Sequence, residues 1–196
     1  MPEPFEIRLD EEQMRELDSR LRGIPNALPK VIARSINRAI GHMRTLIVRR
    51  ARAETKMPSK AVRSKIWFKR ATRVRLQGRL GASKRGFALT MFGAKQTPTG
   101  VSAVIPGIDR LQDIPHGFIA TMPKTGHTGV FTRIGRERKP IREHTTMSIS
   151  YAILASGATP AIVASGRNHF LKRLIAETDL ILEGKNDLDT GTRRIT

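Results

Sequence analysis

The sequence contains no cysteine, few aromatic residues and no long apolar run. Aromatic residues make up 5% of the 196 residues, and the lack of cysteine excludes disulfides and thiolate chemistry. No stretch approaches the ~20 apolar residues that a membrane-spanning helix needs. The first residues have neither the basic nor the apolar region of a signal peptide. We therefore expect a protein that is soluble when made, assembles in a reducing cytoplasm and has no membrane partner.

Motifs of metal sites and active sites are also missing from the sequence. The five histidines occur singly, without an HExxH motif or a His-x-x-x-His pair. No Gly-x-Ser-x-Gly elbow is present. The middle of the chain offers only Asp109 and Asp113 as neighbouring carboxylates, too few for a metal-dependent nuclease. The sequence predicts no metal, no cofactor and no enzymatic activity.

Acidic residues are scarce relative to basic ones. The chain carries 36 Lys and Arg against 17 Asp and Glu, a formal charge of +19. Residues 30–90 hold eighteen Lys or Arg and one acid, Glu54, whereas residues 1–20 hold seven acids and three bases. A chain this basic attracts polyanions, so the candidate partners are nucleic acid, an acidic protein surface or an anionic membrane. The plain alternative is that the charge only maintains solubility.

Hydrophobic periodicity predicts a first, acidic helix. It begins at Asp10, a capping residue, and ends near Gly23. Its apolar face holds Met14, Leu17 and Leu21. We expect residues 1–25 to act as an interaction arm that docks on the basic segment of a neighbouring copy. The acids available for this are Asp10, Glu11, Glu12, Glu16 and Asp18.

The second predicted helix is long, basic and amphipathic. It begins near Pro29 and runs to Glu54 or Lys56, which at 1.5 Å per residue gives about 40 Å. Its apolar stripe consists of Ile32, Ile36, Ile40, Met43 and Ile47. At 100° per residue, the opposite face gathers a basic stripe of Arg34, Arg38, Arg49, Arg52 and Lys56.

Beyond residue 66 the pattern changes to that of short strands separated by glycine turns. Strands are predicted at residues 67–68, 74–76, 87–92, 101–105, 118–121 and 129–134. A last helix is predicted from Pro160 to Leu182, with Thr159 as cap and Gly184 as stop. Its stripe is Val163, Phe170, Leu174 and Ile181. This order implies an α+β fold with an antiparallel β-sheet in the middle. We expect one domain over residues 1–196 with a flexible tail at 185–196.

The basic segment lacks the motifs of proteins that read a nucleic-acid sequence. It has no short recognition helix, no zinc-ligand spacing and no RNP-like pair of aromatic residues. A stripe of Arg and Lys without base-reading side chains is typical of non-specific phosphate contact. The same stripe is equally compatible with a solvated helix face or with a surface that pairs with an acidic neighbour.

Residues 126–143 carry the most distinctive pattern, which we call the family motif. Its residues are Gly126, His127, Gly129, Val130, Phe131, Arg133, Arg138, Pro140, Ile141 and Glu143. The pattern resembles the signature of the prophage minor tail protein Z family, and the order of helices and strands is similar to that family over most of the chain. Phe131 and Ile141 are expected to anchor two strand-like arms at an interface. Arg133, Arg136, Arg138 and Arg142 would surround them with charge. The alternative is an ordinary basic hairpin.

The resemblance implies a structural, non-catalytic role in a bacteriophage. Members of the family are minor tail proteins thought to act in tail completion, near the tail terminator, where the finished tail joins the filled head. The protein would then belong to the virion, in the tail or neck, and be assembled in the bacterial host cytoplasm. Its partners would be tail terminator, tail tube or head–tail connector proteins.

A ring is the expected form of such a protein, because head-to-tail contacts that close generate rings. We expect a homo-oligomer, a hexamer that matches the symmetry of tail tubes. Six subunits would carry +114, six times +19. The basic stripe would line a channel that holds genomic double-stranded DNA. The alternative is a free non-specific nucleic-acid-binding protein, whose monomer binds duplex DNA in a salt-sensitive way.

Overall fold

The computed structural model describes residues 11–105 and 110–184, and these residues form an α+β protein. The helices are α1 (Glu11–Arg20), α2 (Ala27–Thr55), α3 (Ser59–Ser64), α4 (Ile149–Ala155) and α5 (Thr159–Leu182), with a 3-10 helix at Leu89–Phe92. The strands are β1 (Ile66–Lys69), β2 (Arg79–Ala82), β3 (Lys95–Thr97), β4 (Gly100–Ile105), β5 (Arg110–Pro115), β6 (Phe118–Thr121), β7 (Thr128–Arg133) and β8 (Ile141–His144). The predicted fold class is confirmed.

The strands form small sheets instead of one large one. β1 pairs with β2, β3 to β5 form a three-stranded sheet in the order β3-β4-β5, and β6 to β8 form another in the order β6-β7-β8. Both three-stranded sheets are antiparallel meanders, because each strand pairs with its neighbour in sequence. Antiparallel neighbours need only short connections, which agrees with the glycine turns of the sequence.

The chain divides into two compact units, each built from separate stretches of sequence. The first unit contains α1, the part of α2 up to Leu46, residues Phe68–Leu80 and α5. The second unit consists of Ile47–Trp67 and Gly81–Ala158. The expectation of a single domain over residues 1–196 stays a prediction. The predicted tail at 185–196 and the first ten residues of the predicted arm lie outside the described residues.

The core of the first unit is helical. Leu17 and Leu21 from the first helical segment pack with Val31 of α2 and with Phe170 and Leu174 of α5, all at most 8% exposed. Of the predicted apolar faces, the buried residues are Leu17, Leu21, Ile32, Ile40, Met43, Phe170, Leu174 and Ile181, whereas Met14, Ile36 and Ile47 are half-buried. In α5 the buried residue of the first turn is Ile162, while the predicted Val163 is half-buried. Sequestering these apolar side chains from water is the main force that holds the helices together.

The core of the second unit lies under the sheets. It consists of Leu89, Val101, Ala103, Ile114 and Val130. Leu89 belongs to the 3-10 helix, so the strand predicted at 87–92 is wrong. Only Ala88 makes an isolated β-bridge, with Thr145, and Gly93 ends the helical turn in the left-handed conformation at φ +68°.

Two further differences concern short elements. The strand predicted at 74–76 is wrong, because the chain there bends into a tight turn instead of pairing. The helices α3 and α4, of 6 and 7 residues, were not predicted since neither is long enough to show a helical period. α4 is nevertheless capped in the usual way: the Ser148 hydroxyl accepts a hydrogen bond from the Tyr151 amide.

Among the described residues, no single helix has the length and hydropathy needed to cross a membrane; only α4 and α5 taken together, with a break between them, reach that threshold.

Candidate interaction site

The β6-β7-β8 sheet brings most of the family motif together. β7 carries Gly129, Val130, Phe131 and Arg133 of the motif, and β8 carries Ile141 and Glu143. Ile141 lies opposite Arg133 and Glu143 lies opposite Phe131. Residues that are far apart in the sequence thus become neighbours in the sheet.

The turn from β6 to β7 positions His127 beside Glu143. Gly126 has φ +65°, which glycine adopts without strain, and its amide donates to the Met122 carbonyl at 2.9 Å. The Met122 amide in turn donates to the His127 carbonyl at 2.8 Å, which closes the turn. The His127 Nε2 and Glu143 Oε1 atoms are 2.6 Å apart. This contact is a hydrogen bond that becomes an ion pair when the imidazole is protonated.

Gly129 leaves the room that the neighbouring side chains occupy. A Cβ atom there would lie 3.0 Å from Glu143 Oε1 and 3.0 Å from Phe131 Cζ. The aromatic ring and the carboxylate therefore both reach over the bare backbone of β7. The order Gly-Val-Phe places the small residue where two larger side chains converge.

Phe131 is the apolar centre of this face of the sheet. Its side chain is buried, and its ring lies 6.2 Å from that of Phe118, its partner on β6. The Arg133 guanidinium lies 5.0 Å from the centre of the Phe118 ring, a cation–π contact. We call Phe118, His127, Gly129, Phe131, Arg133 and Glu143 the motif cluster.

The opposite face of the sheet points into the core of the second unit. Val130 is fully buried there. Next to it, the Thr132 Oγ1 and His144 Nε2 atoms are 2.9 Å apart. Burial lowers the pKa of His144 below its usual range, and the nearby Arg142 lowers it further. Successive motif residues of β7 thus lie on opposite faces of the sheet. Val130 packs in the core of the second unit, whereas Gly129 and Phe131 belong to the motif cluster.

Arg138 and Pro140 do not join the motif cluster. They lie in the exposed loop between β7 and β8, which closes where the Ile134 amide donates to the Pro140 carbonyl at 3.0 Å. The loop also exposes Arg136 and Lys139, and the side chain of Ile134 is 60% exposed. We call residues 134–140 the basic loop.

The predicted basic stripe of α2 is only partly free. In the first unit, Arg38 is exposed, but Arg34 is half-buried and lies 3.7 Å from Glu177, a buried residue of α5. In the second unit, Arg49 and Arg52 are exposed. The remaining member, Lys56, is also exposed and follows the end of the helix with φ +54°. Arg34 therefore has a structural partner, whereas the other four face solvent.

The sequence did not reveal a histidine pair between α2 and α5 in the first unit. The rings of His42 and His169 stack with centroids 4.4 Å apart, and His42 Nε2 lies 2.9 Å from Ser165 Oγ. Burial lowers the pKa of His169, and His42, Arg173 and Lys172 lower it further. No periodic signal marks such a pair, since the two histidines come from helices far apart in the sequence.

No group of three or more His, Cys, Asp or Glu side chains that could hold a metal ion occurs within residues 11–105 and 110–184. Within the motif cluster, the His127–Glu143 hydrogen bond joins the β6–β7 turn to β8, and the Phe118–Phe131 ring pair joins β6 to β7, so the cluster links the three strands.

Comparison with known proteins finds no matching family model, no matching curated protein and no matching solved structure. The resemblance to the prophage minor tail protein Z family therefore stays a prediction.

Proposed function

We propose that this protein is a structural, non-catalytic component of a tailed-phage particle, a tail-completion protein at the head–tail junction. It forms a ring, of about six copies, beside the tail terminator and contacts the DNA in the channel. The observation that carries the proposal is the motif cluster. His127, Gly129, Phe131 and Glu143, which the family motif singles out, meet on one face of one sheet.

The basic loop supports an interface role for this sheet. Apart from Glu137, its charged residues are cations, and they lie on the loop that joins the two motif-bearing strands. Charge of one sign on an exposed loop favours rapid, oriented association with an acidic surface. In this proposal the motif cluster holds the loop, and the loop contacts an acidic surface of a neighbouring neck or tail protein.

The net charge supports the DNA contact. A formal charge of +19 on one chain is unfavourable in isolation and is offset when the chain is bound to a polyanion. DNA threaded through a ring is such a polyanion. The partners proposed are thus other copies of this chain, the tail terminator, tail tube or connector proteins, and genomic double-stranded DNA.

The test is the composition of the particle. Intact virions and tails are purified from the source of this gene, and the copy number of the chain is measured by quantitative mass spectrometry with a major tail protein as internal standard. We expect about six copies per particle, as one closed ring would give. Absence from mature particles would refute the structural role and leave the free nucleic-acid-binding protein as the function to test.

A further inference from the structure

The connection between β1 and β2 is a strongly basic hairpin, which we call the arginine arm. It comprises residues 69–79 and lies within the first unit. Its cations are Lys69, Arg70, Arg73, Arg75 and Arg79, and it contains no acid. All of these cations are exposed.

The tip of the arginine arm is a tight turn with an apolar residue at its end. The Thr72 amide donates to the Arg75 carbonyl at 2.8 Å, and the Arg75 amide donates to Thr72 Oγ1 at 3.0 Å. Arg73 and Val74 are therefore the central residues of the turn. The side chain of Val74 is 99% exposed, so the structure gives it no packing role.

Both limbs of the arm are fixed to α2. On the outgoing limb, the Asn37 side chain donates to the Ala71 carbonyl at 3.0 Å and accepts from the Ala71 amide at 2.9 Å. On the returning limb, Gly78 packs so closely that a Cβ there would lie 2.8 Å from Ile36 Cγ2. A hairpin held at its base loses less conformational entropy on binding than a free loop does.

The arm carries five cations within eleven residues, whereas the five cations of the predicted α2 stripe are spread over residues 34–56. Within the part of the chain that the structure describes, no carboxylate lies within 4.0 Å of Arg70, Arg73 or Arg75, whereas Arg34 lies near Glu177.

We propose that the arginine arm binds duplex DNA through the phosphate backbone, with its tip in a groove and without reading the sequence. Guanidinium groups form paired hydrogen bonds with phosphate oxygens, and the major groove, about 12 Å wide, is open to side chains at the tip of a turn. Duplex DNA carries one negative charge per ~1.7 Å of its axis, so it offers phosphates to several cations of one arm at once. This inference rests on the DNA contact in the proposed function and assigns it to a site other than the α2 stripe.

The test measures binding of the full-length protein to a random-sequence duplex by fluorescence anisotropy, over roughly 50 to 300 mM salt. The slope of log affinity against log salt becomes shallower by about 0.9 for each phosphate that the protein no longer neutralises. The triple variant Arg70→Ala, Arg73→Ala, Arg75→Ala should therefore have a slope shallower than that of the wild type by about 2.7. Circular dichroism checks that the variant is folded.

The matched control removes the same charge from the second unit. The triple variant Lys60→Ala, Lys84→Ala, Arg85→Ala changes three exposed cations of the second unit that lie outside the basic loop. Its slope should stay close to that of the wild type. An equal change of slope in both triple variants would show that only net charge matters and would overturn the assignment to the arm.

A substitution at the tip keeps the test valid if the triple variant does not fold. Val74→Asp changes a side chain that is 99% exposed, so folding is not affected, while Val74→Ser is the neutral control. We expect the Asp variant alone to bind duplex DNA more weakly. Equal binding by the two, or wild-type binding to polyglutamate that matches binding to DNA and falls equally in the Asp variant, would overturn the proposal.

The two proposals fail independently. A chain that is absent from virions but whose arm binds DNA refutes the tail role alone. A chain present at about six copies whose arm does not bind DNA refutes only the arm.

Discussion

Two glycines inside helices of the first unit have opposite surroundings, which sets opposite expectations for the same substitution. Around Gly41 of α2 nothing lies within 4 Å of an added Cβ, whereas at Gly166 of α5 that atom would lie 2.6 Å from Met43 Cγ. Glycine is the weaker helix former because the unfolded chain has more freedom to lose.

Gly41→Ala should therefore raise the free energy of unfolding by about 0.8 kcal/mol. Gly166→Ala should lower it by about 1 kcal/mol, because the cost of overpacking exceeds the gain in helix propensity. Chemical denaturation of both variants beside the wild type measures the difference. A shift of both midpoints in the same direction would contradict the opposite roles given to the two glycines.

His169 should make the protein less stable in mild acid. Its pKa in the folded chain is lowered, by burial first and then by His42, Arg173 and Lys172, so the unfolded chain binds the proton more readily. The contribution of His169 to stability is therefore full above the unfolded pKa of about 6.5 and is lost as the pH falls toward the folded value. His144, whose pKa is also lowered, acts in the same direction.

The measurement is thermal denaturation from about pH 7.5 to about pH 5.5. The melting temperature of the wild type should fall across this range, and that of His169→Gln should fall less because one of the shifted groups is gone. A variant with the same pH dependence as the wild type would exclude His169 as a source.

At the scale of elements, the β7–β8 hairpin combines packed strands, which carry the motif cluster, with the exposed basic loop. Variants of the loop should therefore affect assembly without affecting folding. Arg136→Glu with Arg138→Glu reverses two exposed charges of the basic loop without touching the motif cluster. We expect normal folding but tails that fail to join heads, scored by electron microscopy of particles from a complemented deletion. The reason is that the two introduced glutamates would repel an acidic partner surface.

Lys84→Glu with Arg85→Glu is the matched control for the loop variant. These two residues are exposed, belong to the same unit and change the charge by the same amount. Particles should form normally with this variant. If both double variants block joining equally, the effect comes from net charge and the basic loop is not the interface.

The long helices and several strands of the sheets were predictable from the sequence, whereas the short helices were not. The predicted α2, α5, β4, β6 and β7 agree with the structure to within a few residues. Each has an apolar pattern that survives over several turns or pairs. The 3-10 helix resembles a strand in sequence because its apolar run gives no period, and the burial of Leu89 by Val101 and Ile114 decides its conformation.

The candidate site was predictable in its residues but not in its contacts. The family motif pointed to His127 and Glu143, yet only the pairing of Phe131 with Glu143 determines that the imidazole reaches the carboxylate. The arginine arm gave a misleading signal. Its alternating Val74, Arg75 and Leu76 have the period of a strand, and the hydrogen bonds from Asn37 that hold the arm come from 34 residues away.

At the scale of the whole chain, the distribution of charge could be predicted from the sequence, whereas the division into two units could not. The excess of cations in residues 30–90 is a property of composition alone. The two units interleave along the chain, and three of their four boundaries fall inside α2, β1 and β2, where no linker marks them. Such boundaries depend on which distant segments pack together, as α1 and α5 do.

The interleaving also fixes an order of events during protein synthesis. The second unit uses no residue beyond Ala158, so all of it has been translated before α5 exists. The first unit needs Phe170, Leu174 and Ile181 of α5 to cover Leu21 and Val31. During translation, α1 and α2 therefore emerge with an apolar face that is still exposed. This face is covered only when α5, the last helix, has been made. A chain truncated after Ala158 would keep the second unit but leave the apolar face of the first unit uncovered, and exposed apolar surface of this kind promotes aggregation.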